Sequence, residues 1–110
     1  MTQVANIPAD SELLSSYVAT GSEGAFAELV HRHLNLVHSA ALRQVQGDAA
    51  AAADVAQTVF IELARQASGL TRHPALIGWL YTTTHRMAAR HLRDGIRRQC
   101  RERDAHAMRE

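Results

Sequence analysis

Residues 74–98 read PALIGWLYTTTHRMAARHLRDGIRR. Stepped at about 100° per residue, the turn of an α-helix, the stretch divides into two faces. Leu76, Ile77, Leu80, Thr84, Met87, Ala88 and His91 fall on one. Trp79, Thr82, Arg86, Ala89, Arg90, Arg93 and Arg97 fall on the other. The first face suits a core. The second carries four guanidinium groups and an indole toward whatever lies outside. Pro74 fits the first turn of a helix, where its missing amide costs no hydrogen bond. Gly95 weakens the far end. One long amphipathic basic helix is expected, running past Arg98, with the rest of the chain as its scaffold.

Three further helices are expected before it. Asp10 or Ser11 can cap the first, DSELLSSYVAT, because a side-chain oxygen there accepts from an orphan amide of the first turn. Its apolar side is Leu13, Leu14, Tyr17 and Val18, and Gly21 is a suitable stop. Ser22 can cap a second, running to about Gln46 with Phe26, Leu29, Val30, His33, Val37, Ala40, Ala41 and Leu42 at helical spacing. Asp48 can cap a third. Five alanines open it, and Ala52, Val55, Ala56, Val59, Phe60 and Leu63 form a broad apolar arc. Asp54, Gln57, Thr58, Ile61, Glu62 and Arg65 occupy its other side, where the branched aliphatic Ile61 sits among polar groups. Residues 68–73, SGLTRH, read as a loop, and residues 99–110 as a fraying end or linker.

The composition agrees with an all-α fold. Aromatic residues make up only 5% of the chain, so Leu, Val, Ile and Ala must build the core. Proline occurs only at 8 and 74. A chain of 110 residues suffices for one small domain.

The net charge of +1 conceals an asymmetry. Residues 1–71 hold seven acids and three arginines, net −4; residues 72–110 hold nine arginines and four acids, net +5. Such polarity points to a polyanion at the C-terminal part, nucleic acid first. Cys100 is the sole cysteine, so no internal disulfide forms and a reducing compartment fits. No apolar run reaches membrane-spanning length, and no signal pattern opens the chain, so a cytoplasmic location is expected.

Catalytic and metal chemistry find no support. His31 and His33 are two apart, His33 and His38 five, His85 and His91 six, and no H-E-x-x-H or cysteine pair occurs. His33 and His91 read as packed core histidines. No phosphate loop or nucleophile elbow is present. No enzyme, cofactor or metal is expected.

Three motifs in order carry more information. They are AFAELVHRH at 25–33, DVAQTVF at 54–60 and GWLYTTTHR at 78–86, followed by arginine-rich sequence. Together they resemble the region-two domain of bacterial extracytoplasmic-function (ECF) sigma factors, over about residues 10–102. The resemblance implies a compact four-helix sigma region-two bundle with a long C-terminal basic helix. It implies docking on the β′ clamp helices of RNA polymerase core through Asp54, Gln57, Thr58, Ile61 and Arg65. It further implies recognition and melting of the minus-ten promoter element, with a non-template base captured by residues 68–73 and the start of the last helix. The DNA-binding residues would then be Thr71, Arg72, His73, Trp79, Thr82, Thr83, Arg86, Arg90, Arg93 and Arg97. Arginines suit phosphates, aromatics suit unpaired bases, and Thr71, Arg72 and His73 carry groups that bond a base edge. An anti-sigma factor is a further partner the resemblance allows, and from the lack of a long apolar run no membrane partner is expected.

The chain departs from the family's pattern at Ala53 and Thr58, where acids are usual, and at Thr82 and Thr83, where many members have Arg and a branched aliphatic. A rival expectation is a sigma-like interaction module that binds a regulator without reading a promoter. Residues 1–9 read as a flexible lead-in, 10–103 as the domain, and 104–110 as the start of an interdomain linker. A complete member carries a further minus-thirty-five-binding domain; a fragment cut at that linker is expected, with a natural single-domain protein as the alternative.

Overall fold

In the computed structural model, which describes residues 7–109, every regular element is a helix. The order is α1 (Asp10–Thr20), α2 (Glu23–Gln44), α3 (Ala49–Arg65), α4 (Ala67–Leu70) and α5 (Leu76–Arg109). The all-α reading holds, with one-turn α4 added where a loop was expected. Of the expected lead-in, residues 1–6 lie outside the described residues, and Ile7, Pro8 and Ala9 precede α1 without regular structure.

The helix boundaries follow local chemistry. The Ser22 hydroxyl accepts from the Ala25 amide at 3.2 Å, and the Asp48 carboxylate accepts from the Ala51 amide at 3.1 Å. Each satisfies an orphan donor of a first turn. Gly21 closes α1 in the left-handed region at φ 70°, which a residue without Cβ adopts freely. The expected cap of α1 is different. Ala9 holds the cap position and makes no side-chain bond. Asp10 is spent elsewhere: Arg32 Nη1 donates to its Oδ1 at 3.2 Å, and His33 Nε2 donates to its Oδ2 at 2.8 Å. This network ties the start of α1 to the middle of α2.

α2 packs on α1, α3 and α5, and α5 also packs on α3, so the core lies where α2, α3 and α5 converge. Leu14, Leu29, Val37, Val55, Val59, Leu63 and Leu80 are fully buried there. The expected arc of α3 is buried in full, Ala52 through Leu63. On α5 the buried row is Leu76, Leu80, Thr83, Thr84, Met87 and Ala88. The Thr84 hydroxyl donates to the Leu80 carbonyl at 2.6 Å, which satisfies it inside the core. Two assignments are corrected. Ile77, expected in the core, is 52% exposed because it stands in the first turn, at the edge of the buried arc. Val18 of α1 is likewise exposed.

The end of the chain is also corrected. Residues 99–109 continue α5 as helix rather than fraying, and the side chains of residues 96–108 are all exposed. Arg, Ala, Glu and Met are good helix formers, so the polar run holds its conformation beyond the core. The molecule is consequently 74 Å long and 26 by 22 Å across.

Candidate functional site

Five arginines of α5 form one flank. Arg86, Arg90, Arg93 and Arg97 are exposed, and Arg101 continues the row at the same helical spacing. At about 1.5 Å of rise per residue the row spans about 22 Å. The ion pairs among the described residues involve Arg32, His33 and Arg65, so none of these five is held in an ion pair. Thr82 is exposed beside the row. Trp79 is half-buried and packs against the core, leaving part of the indole open. Thr83 is corrected: at 1% exposure it belongs to the buried row with Leu80 and Met87, and its side chain is not a surface contact.

A cavity of about 400 Å³ lies at the N-terminal end of α5. Leu70, His73, Pro74, Ala75, Leu76 and Ile77 form one side. The other side was not foreseen: it is Ala9, Asp10, Ser11 and Leu14 of the α1 region. The Ala75 amide donates to His73 Nδ1 at 3.1 Å. With Nδ1 accepting, the ring proton sits on Nε2, which is left as a donor. Thr71 and Arg72 do not line this cavity. The Thr71 hydroxyl donates back to the Ser68 carbonyl at 3.3 Å, while Arg72 is exposed.

α3 supplies a second surface. Asp54, Gln57, Thr58, Ile61 and Arg65 are all exposed. The Thr58 hydroxyl donates to the Asp54 carbonyl at 2.9 Å, and Arg65 pairs with Glu62 at 3.4 Å. Gln57 and Ile61 border a groove of about 460 Å³ whose opposite wall is Phe26, Val30, Leu34 and His38 of α2. The α2 wall was missed from sequence, although exposed Leu34 lies four and eight residues beyond Val30 and Phe26, the spacing of one helical stripe. The two surfaces are adjacent. Thr58 of one and Arg90 of the other line the same narrow cleft between α3 and α5, with Asp94 and His91.

A family model described as Sigma-70 region 2 matches residues 29–98, well over half of the chain. The chain belongs to the sigma-70 region 2 family. It is therefore a sigma-factor domain, a non-enzymatic part of transcription initiation with a role in RNA polymerase binding and promoter recognition. No curated protein and no solved structure matches it significantly. The match takes in α3, the segment before α5 and the arginines through Arg98. It leaves out α1, hence one wall of the cavity, and it leaves out Arg101. Among the described residues of this sigma domain no helix is long and apolar enough to cross a membrane.

Proposed function

We propose that this sigma region-two domain is of the extracytoplasmic-function type, works in the cytoplasm, and both docks on polymerase core and opens the minus-ten element. Docking uses the outer face of α3. Asp54 offers a carboxylate to a basic partner group, Gln57 an amide, and Ile61 the apolar edge of the α2–α3 groove into which a clamp-helix side chain fits. Thr58 and Arg65 flank the contact. The groove adds apolar area that offsets the acids missing at positions 53 and 58.

Promoter opening uses the cavity and the row of arginines. Extruding a base costs a few kcal/mol of stacking, which a fitted pocket must offset. The cavity has an apolar floor and the His73 donor at its mouth. Arg72 and the α5 arginines hold phosphates on either side, and the open edge of Trp79, with Thr82, borders the strand. The observation that carries this reading is the exposed row of arginines, none in an ion pair, on the helix that starts at the cavity.

Binding of Arg86→Ala/Arg90→Ala to a single-stranded minus-ten oligonucleotide tests the DNA half, and capture of Asp54→Ala by an isolated clamp-helix fragment tests the docking half. Both affinities should fall by about tenfold or more at low salt, given the size of phosphate and charge-assisted contacts. Loss of clamp-helix capture with wild-type DNA affinity in the double arginine variant would favour the rival, a module that binds only proteins.

A further inference from the structure

The α1 wall of the cavity is outside the family match and has no role in the reading so far. We propose that the first turn of α1 is the third wall of the base pocket, and that the Ser11 hydroxyl bonds the edge of the captured base. The inference rests on the base-capture reading given above and names the residue that completes it.

Three observations carry it. Ser11 and His73 line the same cavity from opposite sides, separated by an apolar floor that includes Leu14, Leu70 and Leu76. A flat ring entering this space lies on the leucines and presents its edge to the polar rim. Second, the Ser11 hydroxyl makes no hydrogen bond to any described residue. It is free both to donate and to accept, whereas His73 Nε2 only donates while Nδ1 holds the Ala75 amide. The two groups therefore address different positions on one base edge. Third, this turn is held in place. Asp10, immediately before Ser11, is bound by Arg32 and His33 of α2. That anchoring makes the wall rigid, and a rigid donor discriminates better than one that must be ordered on binding. Asp10 is thus a positioning residue, and Ser11 the contact.

The experiment uses the whole chain and fluorescein-labelled single-stranded hexamers. Each position is varied through the four bases and then replaced by an abasic site, and binding is read by anisotropy at low salt. One position should lose affinity when abasic. At that position Ser11→Ala should weaken binding of the preferred base by about threefold to tenfold, the size of one neutral hydrogen bond. It should leave the abasic oligonucleotide unaffected, and Ser11→Thr should restore the preference. Ser11 is exposed in a first turn and alanine favours helix, so an unchanged circular-dichroism melt is expected and is checked alongside. If Ser11→Ala weakens base and abasic strands equally, or neither, α1 does not read the base and the inference fails while base capture stands. If the wild-type chain loses nothing at any abasic position, base capture itself fails and takes this inference with it.

Discussion

At the scale of single residues, the decisive side chain is Asp10. In sequence it reads as a helix cap. In the fold its two carboxylate oxygens go to Arg32 and His33, one each, and α1 begins without a side-chain cap. A tertiary charge-assisted pair outweighs a local cap bond, because it joins two helices as well as satisfying a donor. Removing the carboxylate leaves a nine-tenths-buried imidazole without a partner. Asp10→Ala is expected to lower unfolding free energy by about 1–2 kcal/mol, the lower part of the charge-assisted range because the carboxylate keeps a quarter of its exposure. Urea unfolding followed by circular dichroism measures it, and a midpoint equal to wild type would show the network to be decorative. Thr83 is the other instructive residue. A threonine tolerates either side of a helix, and position 83 falls at the margin of the apolar arc. Only its neighbours in the buried row, Leu80 and Met87, decide that it faces inward.

At the scale of elements, α5 departs most from expectation. Its first half was legible, since arginines and apolar residues separate cleanly at a period of 3.6. The helices α2 and α3 were legible for the same reason, and their starts for the chemistry of Ser22 and Asp48. The second half of α5 was not, because a run such as QCRERDAHAMR is polar on all sides and has no period to read. Nor was the α1 wall of the cavity, because nothing in a sequence relates Ser11 to His73. The groove was half legible: Ile61 stood out on a polar face, while Leu34 was not among the apolar positions picked out on α2. Gly95 is the weak link of α5. A Cβ built there meets nothing within 4 Å, and the helix passes through it unbroken. Gly95→Ala should therefore stabilise the projecting half by about 0.5–1 kcal/mol. Amide hydrogen exchange of residues 96–104 should slow severalfold, with core amides unchanged. Faster exchange would mean that the helix needs glycine at this position.

At the scale of the whole molecule, charge and shape act together. The acidic part packs into the compact body, and the basic part extends along α5 beyond it. The two candidate surfaces meet at the cleft shared by Thr58 and Arg90, so a protein bound on α3 and a nucleic acid lying along α5 would be neighbours. This arrangement separates two tasks. The cavity, walled by α1 and the start of α5, is small and is the proposed reader of sequence. The arginine row is long and, in the proposed reading, faces phosphates, which carry no sequence information. A salt titration distinguishes the two. Each phosphate neutralised by an arginine contributes about −0.7 to the slope of log K against log salt for a single strand and about −0.9 for a duplex. Arg97→Ala/Arg101→Ala, at the end of the row remote from the cavity, should flatten the slope by about 1.4–1.8 and leave the ratio of affinities for preferred and disfavoured bases unchanged. A changed ratio would place these arginines in base reading. An unchanged slope would remove the outer half of α5 from the path of the DNA.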